Sequence, residues 1–291
     1  MGLLSTATIA TIGLGSKVLL HAPGSCSLTV NGLDILTKAL DSGRSVITVA
    51  NHISTVDDPI AWGILPARYY LRSRTMRWAL GASDIMFTNP VFSKFFRLGQ
   101  VHETFRGKGI YQPAVDAAIN TLNTTGGWVH LFGEGKINQP STYPINPITR
   151  KVHLPRFKWG VGRILMESTP SMTCTTSHRI TTRQRPPLVI PMWLSGFDNL
   201  MPEGRSSPWK FIPRFFASSR VRLGVTFGEA VEGEDIVREG LKGARVRTKD
   251  EGRDECLEKD VARVRSEITA VVQKAVEDLG RKVDGAMLGR I

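Results

Sequence analysis

Residues 45–59 read SVITVANHISTVDDP, and they combine a strand signal with a chemical one. The apolar, β-branched run at 45–50 predicts a buried strand. His52 and Asp57 follow it at a spacing of five residues, which does not place two side chains on one face of a regular helix. They can meet only if His52 precedes a helix and Asp57 lies in its first turn.

In that arrangement the Asp57 carboxylate accepts a hydrogen bond from one imidazole nitrogen and raises the basicity of the other. This is the general-base half of a catalytic triad, and the missing nucleophile would be a substrate hydroxyl. A purely structural interpretation explains the same residues equally well. Ser54-x-x-Asp57 has the form of a capping box, while Asp58-Pro59 could equally be an N-cap followed by a first-turn proline.

The rest of the chain alternates strand and helix signals. Strands are predicted at 128–132, 188–194 and 220–227, and helices at 111–122 and 257–283. This order favours an α/β domain with a mainly parallel central sheet flanked by helices. The C-terminal helix is amphipathic, and its apolar stripe is expected to pack on the core. The polar stretch at 169–187 is typical of a surface insertion.

Composition and charge limit the class of protein and the classes of partner it can bind. The 291 residues are 41% hydrophobic and 22% charged, which excludes a disordered, collagen-like or coiled-coil chain. The net charge of +12 favours nucleic acid, an anionic membrane or a phosphate-bearing substrate. It is concentrated at 150–222, with thirteen Lys and Arg against three Asp and Glu, whereas 229–260 is net −4. The three cysteines and six histidines show no disulfide or metal-ligand spacing, so no metal is expected.

Two further motifs could bind a ligand. Phe132-Gly-Glu-Gly-Lys136 follows a predicted strand, at the end where α/β sheets usually bind ligands. Arg106 lies between an aromatic residue and a glycine, and its guanidinium could bind a phosphate bidentately. A plain turn and a solvated arginine are the simpler interpretations.

Two segments suggest contact with a membrane. Residues 1–22 form an apolar stretch that includes Leu3, Leu4, Leu19 and Leu20, but it is marginal for a span and lacks the features of a signal or transit peptide. A helix lying in or dipping into one leaflet fits better, with a core-packed helix as the alternative. Residues 68–97 mix arginines with aromatics, among them Phe92, Phe95 and Phe96, which suit the headgroup level. They could also stack on nucleic acid, but no RNA-binding signature is present, so nucleic acid is not expected as a partner.

Four of these elements occur in the order found in the glycerophospholipid acyltransferase family, which the chain resembles. They are His-x4-Asp at 52–57, the Arg106 block, Glu134-Gly135, and a proline-containing strand at 190–191. Within that family the chain is most similar to the mitochondrial transacylases that remodel cardiolipin. The matching segments lie between residues 45 and 230: 51–59, 62–65, 76–78, 82–85, 87–88, 127–132, 158–163, 190–193 and 213–215. One departure is Gly133, where the family has proline, and a less pre-organised loop is expected there.

The resemblance implies an acyltransferase domain at 23–291. His52, oriented by Asp57, would deprotonate a hydroxyl of a lysophospholipid such as monolysocardiolipin, which takes an acyl chain from a donor phospholipid without coenzyme A. The residues expected to bind headgroup and glycerol are Arg106, Glu134, Gly135, Ser54 and Lys136. No metal or organic cofactor is implied. The resemblance places the protein on a mitochondrial membrane, inner or outer, facing the intermembrane space, with an anionic membrane surface as partner, and it allows a homo-oligomer.

Two alternatives share these motifs. One is an acyl-CoA-dependent 1-acylglycerol-3-phosphate acyltransferase. The other is a non-catalytic cardiolipin-binding scaffold, which Gly133 favours.

Overall fold

The computed structural model describes residues 2–169, 185–206, 212–216, 220–251, 257–285 and 288. Its centre is an eight-stranded sheet. The strands are β1 (Cys26–Asn31), β2 (Val46–Ala50), β3 (Arg77–Ala82), β4 (Val101–Thr104), β5 (Trp128–Phe132), β6 (Leu188–Ser195), β7 (Val221–Phe227) and β8 (Val231–Glu232). The predicted insertion at 169–187 lies almost wholly outside the described residues.

The sheet order is β1-β7-β6-β2-β5-β3-β4, with β8 paired to β6. The run β6-β2-β5-β3-β4 is parallel throughout. Strand β7 runs antiparallel to β6 and parallel to β1, and β8 is also antiparallel to β6. The carboxyl ends of the parallel run therefore meet at one edge of the sheet, and β2 and β5 lie at its middle.

Ten α-helices connect the strands among the described residues. They are α1 (Leu3–His21), α2 (Leu33–Asp41), α3 (Asp57–Ala61), α4 (Ser83–Met86), α5 (Pro90–Leu98), α6 (Pro113–Thr125), α7 (Gly160–Glu167), α8 (Phe197–Leu200), α9 (Gly233–Glu251) and α10 (Leu257–Val283). Short 3-10 helices at Trp62–Ile64 and Ala67–Leu71 follow α3.

Both faces of the sheet are covered. On one face, the Trp62 ring packs edge-on against the rings of Trp128 and His130. On the other, α10 packs against β6, with Gly280 directly over the Trp193 ring. All five residues of β2 are buried as a result, which explains why its sequence is continuously apolar instead of alternating.

The strands and helices predicted from hydrophobic periodicity are confirmed, as is the α/β class with a mainly parallel sheet. Strands β1, β3, β4 and β8 were not predicted. In β3 the buried positions include Arg77 and Gly81, so the strand has no alternating apolar pattern that could reveal it.

Helix α1 packs along the domain through small and polar residues. The Ser16 hydroxyl donates to the Pro59 carbonyl over 2.7 Å, and Gly13 lies against the Tyr70 ring. Lys17 Nζ donates to the Leu65 carbonyl over 3.1 Å. The opposite face is apolar and exposed, with Leu3 91% accessible. Among the described helices, α1 alone is long and apolar enough to cross a membrane.

Three residues of the predicted membrane segments face inward instead. Leu20 is only 3% exposed, so its assignment to the membrane is wrong. Tyr69 and Tyr70, in the aromatic and basic segment, are also buried. The Tyr70 hydroxyl donates to the Trp62 carbonyl over 2.8 Å. By contrast, Phe92 and Phe95 are exposed on α5, and Phe96 is half-buried.

Candidate active site

The candidate site lies where β2 and β5 end side by side. Ala50 and Phe132, the last residues of the two strands, are paired in register. His52 follows β2 by two residues and Glu134 follows β5 by two residues. The parallel pairing therefore brings the His-x4-Asp and Gly-Glu-Gly segments together, although they are far apart in the chain.

His52 and Asp57 are in direct contact. His52 precedes α3, Asp57 is the first residue of α3, and the distance from His52 Nδ1 to Asp57 Oδ2 is 2.9 Å. Because a carboxylate only accepts, Nδ1 carries the proton and Nε2 is the free base. The His52 side chain is 19% exposed, whereas the Asp57 side chain is fully buried. Substrate can therefore reach the imidazole but not its partner.

A single oxygen of Asp57 organises the turn. Besides His52, the backbone N–H groups of Ile53 and Ser54 donate to Asp57 Oδ2, over 2.7 and 2.8 Å. Burial raises the pKa of Asp57, and the hydrogen bond from His52 and the two backbone donors lower it. Helix α3 begins at Asp57, with Val56 as its N-cap and no side-chain cap, so the capping box is not formed. The Asp57 carboxylate instead holds the turn before the helix and contacts His52.

The backbone of His52 is held from both sides by the loop after β5. Its N–H donates to Glu134 Oε1 over 3.0 Å, and its carbonyl accepts from the Asn138 N–H over 2.8 Å. Asn138 Nδ2 in turn donates to Glu134 Oε2 over 2.5 Å. The Phe132 ring stacks on the imidazole, with ring centroids 4.0 Å apart. These contacts leave His52 little freedom to rotate away from Asp57.

Glu134 is buried at this junction. Burial raises its pKa to about 7, although the His52 N–H and the Asn138 amide both favour the ionised form. Its carboxylate contacts protein groups on both oxygens, so in this structure it positions His52 and does not present itself to a ligand. This corrects the expectation that Glu134 binds headgroup or glycerol.

Gly133, where a proline was expected, has a structural explanation. The Phe157 ring lies so close that a Cβ at residue 133 would come within 2.2 Å of it. The Gly133 N–H donates to the Ala50 carbonyl over 3.3 Å, and its own carbonyl accepts from Lys158 N–H over 2.8 Å. The Phe157 side chain fills the space beside the loop, and backbone hydrogen bonds hold the loop in place. The expectation of a less pre-organised loop stays a prediction.

A buried ion pair between Arg77 and Asp58 lies next to the site. The Arg77 guanidinium binds both oxygens of Asp58, with Nε to Oδ1 at 2.9 Å, and Trp62 Nε1 also donates to Oδ1 over 2.9 Å. Burial alone would raise the pKa of Asp58, but Arg77 outweighs it and the pKa is lowered. Asp58 was considered only as a helix cap, and Arg77 only as a basic residue at a membrane. A strand-borne arginine among apolar neighbours is the signal that could have indicated this pair.

Two more buried residues went unnoticed in the sequence. Asn51 exchanges two hydrogen bonds with the backbone of Leu194, at 2.8 and 2.9 Å, and so ties the end of β2 to β6. His130 Nδ1 lies 2.8 Å from the Thr48 hydroxyl, and burial lowers the pKa of His130 to about 3. His130 is therefore neutral and belongs to the core beneath Phe132 and His52.

The other predicted ligand-binding residues lie in three separate places. Gly135 and Lys136 are exposed on the loop after β5. Arg106 is exposed beyond β4 and pairs with Asp84 over 3.1 Å. Strand β4 is three strands from β2, about 14 Å at the usual strand spacing. Ser54 is buried and its hydroxyl accepts from Val56 N–H over 3.4 Å, so it shapes the turn and does not meet a ligand.

Within the described part of the chain, no group of three His, Cys, Asp or Glu side chains could hold a metal ion. Nor does any described serine or cysteine donate to His52 Nε2. The arrangement can therefore accept a proton from an incoming hydroxyl but supplies no nucleophile of its own.

Comparisons with known proteins show what the chain is similar to. The family model described as Acyltransferase matches residues 27–195, more than half of the chain. A Dictyostelium discoideum protein named Taffazin is 36% identical over 202 residues, which cover 68% of this chain and 61% of that protein. A Saccharomyces cerevisiae protein named Tafazzin is 30% identical over 268 residues, covering 79% and 63%. An Arabidopsis thaliana protein named N-acylphosphatidylethanolamine synthase is 35% identical over 178 residues, covering 60% and 54%.

The chain thus spans between about half and just under two thirds of the length of these relatives. The family match itself includes β2 and β5 and the whole of the loop from His52 to Asp57. On this evidence the chain belongs to the acyltransferase family.

Proposed function

We propose that this protein is a phospholipid–lysophospholipid transacylase that remodels cardiolipin. The observation that carries the proposal is the 2.9 Å contact between His52 Nδ1 and the buried Asp57, with Nε2 left free and no protein nucleophile beside it. Such a base needs a substrate hydroxyl, and a lysophospholipid supplies one.

The reaction follows from this geometry. His52 Nε2 takes the proton of the lysophospholipid hydroxyl as its oxygen attacks the acyl carbonyl carbon of the donor lipid. Asp57 stabilises the imidazolium that forms. When the tetrahedral intermediate collapses, the bond to the donor's ester oxygen breaks, and the imidazolium returns its proton to that oxygen. One ester is exchanged for another, so no outside energy source is needed.

Cardiolipin as the substrate is supported by likeness to the two proteins named for tafazzin. The Gly133 loop is held by hydrogen bonds although it lacks the family proline, and His52 keeps its position. This supports an active enzyme over the non-catalytic scaffold. A mitochondrial membrane, inner or outer, facing the intermembrane space, is proposed on the same resemblance.

The membrane partner is supported by α1. The docked side of this helix carries serine and glycine together with Ile9 and Leu20, whereas most of its leucines face outward. A helix on the surface of a water-soluble domain normally turns its apolar residues inward. Its only lysine, Lys17, is satisfied by backbone carbonyls, so no α1 charge has to enter lipid. Because one side is docked along the domain, the helix fits an orientation within one leaflet better than a span.

The direct test is lipid mass spectrometry. The purified protein is incubated with vesicles of phosphatidylcholine and monolysocardiolipin without coenzyme A, beside the His52→Ala variant. We expect tetra-acyl cardiolipin and lysophosphatidylcholine in equal amounts from the wild type, and a rate lower by at least about a hundredfold from the variant. Transfer by His52→Ala at the wild-type rate would sink the mechanism. Product only after acyl-CoA is added would favour the acyl-CoA-dependent alternative, and vesicle binding without any transfer would favour the scaffold.

A second candidate is N-acylation of phosphatidylethanolamine. It is supported by the 35% identity to the Arabidopsis protein with that name. The same base would remove a proton from the attacking amine. Offering phosphatidylethanolamine and monolysocardiolipin together separates the two, since one product is an amide that resists mild alkaline hydrolysis and the other is an ester.

A further inference from the structure

The loop at 144–153 displays an unusual apolar tip. Ile148 is 89% exposed, and Ile145 is also exposed, next to exposed Pro144 and Pro147. Scattered exposed apolar residues are ordinary, but this one stands at the end of a projecting turn with nothing described around it. Burying an isoleucine of this kind against a partner surface is favourable, because it removes apolar area from water.

The loop is rigid. Ile145 and Val152 form an antiparallel bridge, and Asn146 N–H donates to the Lys151 carbonyl over 2.9 Å. The Asn146 side chain accepts from the N–H groups of Ile148 and Thr149, both over 2.9 Å. The tip is therefore held in its exposed position before any partner arrives, so little conformational entropy is lost when it binds.

The base of the loop is joined to the active site. On one side is the buried Tyr143, whose pKa is raised by burial and by the negative charges of Glu134 and Asp57. On the other, Arg281 of α10 donates to the Val152 carbonyl over 2.6 Å, and the chain returns to Phe157 over Gly133. A partner of the tip would consequently sit next to the loop that holds His52.

The positive charge around the tip indicates which kind of surface the loop can bind. Residues 135–166 contain six Lys and Arg and no Asp or Glu. Arg150 and Lys151 are exposed beside Ile148, and among the described residues no carboxylate forms an ion pair with either. An apolar tip with cationic neighbours is complementary to a lipid surface that carries negative headgroups.

We propose that the 144–153 loop is a second membrane-contact element, which inserts Ile148 into an anionic lipid surface beside the active site. The inference rests on the proposed function, in which that surface supplies both substrates. With α1 as the first contact, the loop fixes which edge of the sheet faces the lipid. Arg150 and Lys151 contact headgroups while Ile148 reaches the acyl boundary.

The test places an environment-sensitive fluorophore at the tip. Ile148→Cys is made in a full chain carrying Cys26→Ser, Cys174→Ser and Cys256→Ser, and is labelled and mixed with vesicles containing cardiolipin. Thr124→Cys in the same background is the matched control, because Thr124 is exposed near the end of α6, just before β5 begins, at the opposite end of the sheet from the site and outside both predicted membrane segments. We expect a blue shift at residue 148 and none at 124. No shift at 148 overturns the proposal, as does a shift that grows with protein concentration without vesicles, which would indicate a second copy.

Vesicle flotation supplies a second measurement. Ile148→Asp should lower partitioning onto cardiolipin vesicles by at least about tenfold, since it removes an apolar contact and adds a charge repelled by the surface. Arg150→Gln with Lys151→Gln should weaken binding to anionic vesicles and leave binding to neutral ones unchanged, and Thr124→Asp should change neither. Unaltered flotation of Ile148→Asp would contradict the proposal.

The two proposals fail in different ways. A blue shift at residue 148 in a protein that transfers no acyl chain would leave the membrane contact standing and remove the transacylase. Acyl transfer by the wild type with no shift at residue 148 would do the reverse.

Discussion

The site edge of the sheet has two halves that hold their polar side chains differently. At the ends of β2 and β5, Asp57 and Glu134 are buried. Both hold His52, Asp57 through Nδ1 of the ring and Glu134 through the backbone N–H. At the ends of β3 and β4, Asp84 and Arg106 are both about half exposed and pair only with each other. We call these the fixed half and the open half.

The difference separates chemistry from recognition. A base must be oriented before the reaction, and buried hydrogen bonds act in a low dielectric where orientation is strongly enforced. An exposed ion pair contributes about 0–1 kcal/mol, so Arg106 can leave Asp84 for a phosphate at little cost. We therefore expect substitutions in the fixed half to be severe and those in the open half to be mild.

The largest effect is expected for Asp57→Asn. The amide oxygen can still accept the three bonds made by Oδ2, so the turn survives, but the negative charge that stabilises the imidazolium is lost. We expect kcat to fall by about 10²–10⁴-fold with little change in thermal midpoint. Acyl-transfer kinetics and circular dichroism on the same sample check this. Unfolding of the variant would show that the charge is needed for the fold, contrary to this division.

Restoring the family proline should be the next most severe change. Gly133→Pro removes the N–H that donates to Ala50 and places ring atoms where Phe157 now lies. We expect it to lower the free energy of unfolding by about 3–4 kcal/mol. Denaturant unfolding measures the loss, and adding Phe157→Leu should recover part of it. A proline variant as stable as the wild type would mean that Phe157 does not occupy this space in solution.

Glu134 makes the fixed half sensitive to pH. Its folded-state pKa is raised to about 7, mainly by burial, above the ordinary value of 4.5. The folded state therefore holds a proton that the unfolded state releases, and this contribution to stability is complete below pH 4.5 and lost as the pH rises to about 7. The total is on the order of 3 kcal/mol.

Unfolding of the wild type and Glu134→Gln at pH 5 and pH 8 tests this: the free energy of unfolding of the wild type should fall between pH 5 and pH 8, whereas that of Glu134→Gln should change little. Glu103→Gln is the control, because Ser83 and Arg97 lower the pKa of Glu103 and its contribution changes only below this window. Parallel pH curves for wild type and Glu134→Gln would argue against a buried, titrating Glu134.

The smallest effect is expected in the open half. Arg106→Ala should raise KM for the lysophospholipid about three- to tenfold and leave kcat nearly unchanged, because an exposed guanidinium binds the headgroup equally in ground and transition states. Asp84→Ala frees Arg106 and should leave KM unchanged or lower it. A hundredfold fall in kcat for Arg106→Ala would place this arginine at the reacting atoms and erase the distinction between the halves.

Sequence reasoning succeeded where the information is local. A spacing of five residues allows His52 and Asp57 to meet only across a helix start, and the structure has that arrangement. Hydrophobic periodicity located β2, β5 and α10 because burial on these elements follows the chain. It could not locate β3, whose buried arginine is neutralised by Asp58, nineteen residues earlier.

The remaining features depend on tertiary contacts. Glu134 reaches the backbone of His52 across 82 residues, and no pattern at either end shows that its carboxylate will point inward. Composition marked residues 68–97 and 1–22 as membrane segments without indicating faces, so it assigned Leu20 to lipid although that side chain is buried. Only the docking of α1 on its neighbours decides which side of each segment is free.

The outward leucines of α1 also bear on how rates should be expressed. A catalyst held in a leaflet encounters its lipids by lateral diffusion in two dimensions, so the relevant concentration is a mole fraction in the bilayer and not a molarity in the tube. Inert lipid would then act as a diluent even when the total amounts of enzyme and substrate stay the same. With α1 in the leaflet as proposed, the composition of the surrounding membrane becomes a kinetic variable.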